Sequence, residues 1–255
     1  MNSRQKSERR LITIGTGSGV AAPGLGGSAF LARIGPVSVL LDCGEGAAGW
    51  LNHFGLTRDI EYIFITHMHS DHISGLAVLI QNMILAERGD PLIIFMPEEG
   101  IGPFKQMLAA MYLDPENKRA GFKIQYRAVQ VSTLLRTDKF TLRAWASDHF
   151  GKGSSRKNKT RPAFGFTIET PDSRLVYTGD VASLDCFKDE LLPGTTLICE
   201  AAHISSEAVL KTAGQSGVKQ VIFIHIDPLF TDSLVEMCKK YHNAVIAKDG
   251  MEFEW

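Results

Sequence analysis

Three imidazoles and a carboxylate fall within six residues in the segment Thr66-His67-Met68-His69-Ser70-Asp71-His72. An apolar, β-branched run, Tyr62 to Thr66, leads into it, and helical apolar spacing follows from Ile73 to Glu87. On a strand-to-helix turn, His67 and His69 face one way while Asp71 and His72 face another, which suits two adjacent metal ions better than one. Neutral imidazole and carboxylate are ordinary zinc ligands, and manganese and iron accept the same donors. Two neighbouring divalent ions form a hydrolytic clamp. Such a pair needs more ligands, and they belong at strand ends, where loops converge. His149 follows the run Thr141 to Ala146, Asp180 follows Leu175 to Thr178, and His225 follows Val221 to Ile224. A lone histidine at a strand end is usually structural, but these three join a motif that requires partners. Competing motifs are weak: Gly15-x-Gly17-x-Gly19 has Val20 where a dinucleotide-binding turn needs its third glycine, and neither a P-loop nor a GxSxG elbow occurs.

The rest of the chain must hold these residues in place. It has 255 residues, 44% hydrophobic and 22% charged, with a formal net charge of −1. That balance is globular and gives no broad case for wrapping nucleic acid or an anionic membrane. Its apolar runs are far shorter than a membrane span, and the polar start MNSRQKSERR carries no secretory h-region. Cys43, Cys186, Cys199 and Cys238 are scattered, as expected of reduced core thiols in a cytoplasmic protein. Strands are expected at Leu11–Gly15, as a hairpin at 29–34 and 37–41, and at 62–66 and 92–96. Further strands are expected at 122–129, 139–147, 163–169, 174–178, 196–199, 221–224 and 244–247. Helices are expected at 73–87, 104–112, 205–213 and 231–241, with His53 and His242 also in helical stretches. Two such half-patterns predict an α/β fold of four layers, two mixed sheets face to face with helices outside (αββα). Residues 1–10 read as a flexible segment and 11–255 as a single domain.

The HxHxDH motif with its later His, Asp and His resembles the metallo-β-lactamase fold superfamily. Ile14-Gly15-Thr16-Gly17-Ser18-Gly19-Val20, Leu41-Asp42-Cys43-Gly44-Glu45-Gly46, Ile63-Phe64-Ile65-Thr66-His67 and Asp71-His72-Ile73-Ser74-Gly75-Leu76 are similar to its ribonuclease Z-like phosphodiesterase branch. The resemblance spans roughly residues 12 to 226. It implies one metal held by His67, His69 and His149 and a second by Asp71, His72 and His225, with Asp180 bridging and a hydroxide between the metals as nucleophile. It also implies that Asp42, Glu45 and Glu200 orient ligands from behind, although a helix-terminal charge is an equal reading for Glu45. His203, just before a helix in Glu200-Ala201-Ala202-His203-Ile204-Ser205-Ser206, matches the family's catalytic histidine. With Asp71 it is the candidate catalytic residue; a capping or buried structural histidine is the alternative.

Departures from the branch narrow the substrate. His149 and Asp180 lie only 31 positions apart, too close for the long arm with which short bacterial tRNA processors grip their substrate. Ala21 to Gly27 holds no Lys or Arg, and the usual insertion between the segments of Glu200 and His203 is missing. Each change removes phosphate contacts while keeping the metal motif, which argues against a full-length pre-tRNA grip. The expected activity is therefore metal-dependent cleavage of a small or cyclic phosphodiester. Ribonuclease Z activity on tRNA 3′ ends and hydrolysis of a sulfate ester, thioester or lactone remain alternatives. The loop Gly151 to Arg161 carries five basic residues and no acid. It reads as a solvated loop, with Lys152, Arg156, Lys157 and Arg161 as anion-contact candidates. RNA and a second copy of the chain are the other partners the resemblance allows.

Overall fold

A computed structural model describes residues 9–113, 121–151, 161–226 and 231–255. The first half contains β1 (Arg9–Gly15), β2 (Ala29–Ile34), β3 (Val37–Leu41), α1 (Ala47–His53), β4 (Ile60–Phe64), α2 (Ser70–Ile73), α3 (Leu76–Leu85), β5 (Leu92–Met96), α4 (Glu98–Ala110) and β6 (Ile124–Ala128). The second contains β7 (Thr133–Arg136), β8 (Thr141–Ala146), β9 (Phe164–Thr170), β10 (Ser173–Tyr177), β11 (Thr195–Glu200), α5 (Ser206–Gln215), β12 (Gln220–Ile224), α6 (Thr231–Cys238), β13 (Ala244–Ile246) and β14 (Glu252–Glu254).

Strand periodicity builds the layers. In β2, Phe30 and Ala32 point into the core between the sheets, while Ala29 and Leu31 point outward against α1 and α3. In β12, Ile222 and Ile224 face the inter-sheet core, and Val221 and Phe223 face α5 and α6. Strands buried on both faces read as continuous apolar runs. The two seven-stranded sheets run β14-β1-β2-β3-β4-β5-β6 and β13-β12-β11-β10-β9-β8-β7. With helices outside each, the architecture is the expected αββα sandwich. Strands β3 to β6 are parallel, as are β10 to β13. The segments leaving β3, β4, β10, β11 and β12 therefore converge at one end of the sandwich, where open α/β sheets place ligands.

Several boundaries differ from expectation. The helix expected over 73–87 runs only from Leu76 to Leu85; Ile73 ends the separate α2, and Ser74-Gly75 divides the two, because Gly75 lies against Gly44: an added Cβ would stand 2.0 Å from the Gly44 oxygen. Helix α4 begins six residues early, with Glu98 and Glu99 suiting its N-terminus, and carries Pro103 inside it. Short edge strands β7 and β14, mixed in polarity, were not expected, and His242 lies in a turn before β13 rather than in a helix. The first strand starts at Arg9, whose guanidinium pairs with Asp172 and donates to the Trp255 carbonyl at 3.1 Å. Residues 1–8 of the expected flexible segment lie outside the described residues.

Candidate metal centre

The site is organised around Asp42, fully buried after β3 and held at φ 57°. Its Oδ1 accepts from the Thr66 N–H at 2.7 Å; its Oδ2 accepts from Thr66 Oγ1 at 2.8 Å and from the Tyr177 hydroxyl at 2.6 Å. His72 Nδ1 lies 2.7 Å from the same Oδ2. A carboxylate oxygen accepts here, so Nδ1 donates and Nε2 is the nitrogen turned toward the site. Thr66 fixes His67 by the same logic: its one hydroxyl proton goes to Asp42, so at 3.0 Å it accepts from His67 Nδ1–H. Both buried rings therefore turn Nε2 inward, as ligand-orienting partners do.

Three overlapping groups of donors result, the third being Asp180, His203 and His225. His67, His69, His149 and Asp180 place ligand atoms within 4.8 Å of one another, as do Asp71, His72 and His225. Asp180 stands between the first two. Its Oδ2 lies 3.7 Å from His67 Nε2 and 3.7 Å from His149 Nε2, and its Oδ1 lies 3.3 Å from His72 Nε2 and 3.7 Å from His225 Nε2. His225 Nε2 is 3.0 Å from Asp71 Oδ2, and His69 Nδ1 is 3.3 Å from His149 Nε2.

Electrostatics favour cations here. Burial pushes His67, His69 and His149 below the ordinary histidine range, leaving neutral rings with lone pairs. Burial works against charge on Asp71 and Asp180, but it is outweighed: the hydrogen bond with His225 and the nearby ring of His72 hold Asp71 ionised, and the charge of His72 does the same for Asp180. Burial likewise opposes charge on His72, yet Asp180 and Asp42 pull it well above its usual range, so the ring favours a proton at Nε2 that a metal ion would displace. His67 Nε2, His72 Nε2 and Asp180 Oδ1 are buried without a hydrogen-bond partner among the described residues. Buried polar atoms left bare around a common point are costly unless something satisfies them. The donor chemistry and these orphaned atoms fit divalent metal.

Glu200 and His203 sit at the rim. Glu200 is fully buried; its carboxylate accepts from the N–H groups of Val181, Ala202 and His203 and fixes the turn before α5. It also lies 4.0 Å from His225 Nδ1. His203 is 42% exposed, with Nδ1 3.3 Å from Glu200 and 3.9 Å from Asp180 Oδ2. The helix cap belongs to Ser205, which accepts from the Ala208 N–H, so His203 is neither cap nor buried. Its hydrogen bond with Glu200 raises its pKa and favours the imidazolium.

Glu45 is not placed behind a ligand. It is exposed in the turn before α1, and its backbone carbonyl accepts from the Gly27 N–H at 2.9 Å. It lies one residue before Gly46, the N-cap of α1, whose first turn holds no acid. Arg161 is exposed, and its charge reaches His69. Lys152, Arg156 and Lys157 lie outside the described residues.

Sequence reasoning did not find Thr66, Tyr177, Asp148 or Phe150. Phe150 stacks edge-on against His67, His69 and His149. Asp148 accepts from the N–H groups of Ala182 and Ser183 and anchors the loop after Asp180. The available signal was Tyr177, a phenol in a run otherwise apolar, which needs an acceptor once buried.

Fold and site together define a metallo-β-lactamase-fold protein with a His/Asp metal-binding cluster at the strand ends. Within that class the chain belongs to the family described as anti-Pycsar protein Apyc1, whose profile matches residues 9–212. A ribonuclease Z of Haloferax volcanii is 25% identical, covering 96% of this chain and 94% of its own. Two solved structures share the fold with a TM-score of 0.77 and 20% identity: the metallo-β-lactamase fold protein YhfI from Bacillus subtilis (97% of this chain, 99% of that one) and the short form of human tRNase Z (96% and 98%).

Proposed function

We propose that this protein is a metal-dependent hydrolase that cleaves phosphodiester bonds, with a small or cyclic phosphodiester as its substrate. The observation that carries this reading is the pair of donor groups on either side of Asp180, with the exposed imidazole of His203 beside them. His67, His69 and His149 would hold one divalent ion, Asp71, His72 and His225 a second, and Asp180 would contact both. Zinc suits these nitrogen and carboxylate donors, and manganese or iron would be accepted. Bound there, the ions would supply Lewis acidity toward a phosphoryl oxygen and lower the pKa of water.

The chain's own groups do the rest. Asp42 and Thr66 hold His72 and His67 in the tautomers that present Nε2. Phe150 packs along the three histidine rings and shields them from water on that side. Glu200 holds the proton on His203 Nδ1, so the imidazolium carries a second proton at Nε2 for a departing alkoxide. Arg161 supplies positive charge on the His69 side, where a phosphate's anionic oxygen would be drawn.

Hydrolysis of bis(p-nitrophenyl) phosphate, before and after chelation and with zinc or manganese restored, tests the reading. Turnover should vanish with the metal and return with it. In His203→Ala, turnover should fall by about 10²–10⁴ with metal content unchanged, the usual scale of general-acid loss. A protein shown to hold two metal equivalents yet inert toward the diester would overturn the proposal and direct attention to sulfate esters, thioesters or lactones. The ribonuclease Z relative, matched along nearly its whole length, favours RNA as the second substrate class. Retention of pre-tRNA in a gel shift at physiological salt would favour that reading instead. Size-exclusion chromatography of the same preparation reads whether the chain pairs with a second copy.

A further inference from the structure

The glycine-rich turn after β1 is clamped at both ends. The Asp249 carboxylate accepts from the Thr16 N–H at 2.9 Å, from Thr16 Oγ1 at 2.7 Å and from the Gly26 N–H at 2.6 Å. The Ile226 N–H, next to His225, donates to the Thr16 carbonyl at 3.1 Å. The turn is therefore a fixed wall beside the Asp71–His72–His225 group.

Its glycines serve different needs. A Cβ on Gly15 would fall 1.9 Å from the Gly27 oxygen, and one on Gly17 would fall 3.0 Å from the Gly26 oxygen, so packing forbids or crowds both. Gly19 is under neither constraint. Its φ is not positive, it is exposed, and the three atoms nearest its missing Cβ are all in the Asp71 carboxylate, at 3.7 to 3.9 Å. Alanine would fit in ordinary contact. Anything longer would project over Asp71, whose side chain is 14% exposed, beside the buried and unpartnered His72 Nε2 and Asp180 Oδ1.

We infer that Gly19 is a specificity-determining residue: its missing side chain leaves the approach to the Asp71–His72–His225 group open to an ester substituent of the diester. The inference rests on the phosphodiesterase reading for its substrate class. Metal-loaded full-length protein, Gly19→Ala and Gly19→Leu would be compared on bis(p-nitrophenyl) phosphate and the slimmer methyl p-nitrophenyl phosphate, which share a leaving group. Gly19→Leu should raise KM for the bulky diester by about tenfold or more, with a much smaller change for the methyl ester and Gly19→Ala between. Calorimetric binding of diphenyl phosphate and of inorganic phosphate supplies a readout that needs no turnover. Gly19→Leu should weaken diphenyl phosphate alone, with thermal midpoint and metal content unchanged. Equal effects on both substrates or both ligands, loss of metal, or no diphenyl phosphate binding to the wild type would each overturn the role of Gly19. A wild type that cleaves neither diester yet shows the calorimetric discrimination would sink the phosphodiesterase reading and keep the gap.

Discussion

Asp42 shows how much one side chain behind a ligand can control. A single oxygen, Oδ2, receives Thr66, Tyr177 and His72, all within 2.8 Å. In Asp42→Asn one of the two positions becomes an NH2, a donor facing donors, or the amide flips and meets the Thr66 N–H instead. In the first case His72 loses its acceptor; in the second the Thr66 N–H is left facing an NH2, and in both a neutral amide replaces the carboxylate that His72 Nδ1 meets. Metal affinity at the Asp71–His72–His225 group should fall by about 10–100-fold, as when other ligand-orienting partners are lost. Titration of the stripped variant with zinc would show one weakened equivalent and one near-normal. Two unaltered equivalents would remove Asp42 from that role. At this scale the motif residues were legible because three histidines and an aspartate crowd into a turn where composition alone would not put them. Thr66 and Tyr177 were not legible, because each matters only through a contact made across 24 or 135 residues.

The elements hold the motif through contacts between backbones. Asp71 and His72 belong to α2, a helix of four residues too short to stand by propensity. It is held by packing: a Cβ on Gly44 would lie 2.1 Å from the Asp71 carbonyl, and the Cys43 N–H donates to the His72 carbonyl at 2.8 Å. The break before α3 belongs to the same junction, since the Gly75 N–H donates to the Cys43 carbonyl at 3.0 Å. Gly75→Ala would force its methyl onto the Gly44 oxygen. Overpacking of that kind costs about 1–3 kcal/mol, so the thermal midpoint should drop by roughly 3–10 °C, with metal content falling alongside. A midpoint within about a degree of wild type would show that the junction yields freely. Periodicity read this stretch as one long helix because apolar spacing continues through Ser74. What divides it is a glycine pair separated by 31 positions, which no local pattern reports.

On the scale of the whole molecule, the donors come from both sheets. His67 follows β4 of one sheet, whereas His149, Asp180 and His225 follow β8, β10 and β12 of the other. The inter-sheet core of Phe30, Phe64, Phe166, Tyr177 and their neighbours already joins the sheets through apolar burial. At its open end that core gives way to carboxylates and imidazoles, several of whose buried atoms lack hydrogen-bond partners among the described residues. The layered architecture was legible because runs such as Val221 to Ile224 are apolar on both faces. The cross-sheet tie was legible only as strand-end residues awaiting a common point. A bound ion at each group would link the sheets where apolar contact cannot, and the unfolded chain has no such preformed site. With free metal about a hundredfold above its dissociation constant, each site adds about 2.7 kcal/mol. Two sites then raise the thermal midpoint by on the order of 10–20 °C for a chain of this length. Calorimetry of protein dialysed against chelator, then against increasing zinc, should show the midpoint climbing with the logarithm of free metal. A midpoint indifferent to chelation would mean that the sheets carry no metal tie, and that the orphaned donors are satisfied in some other way.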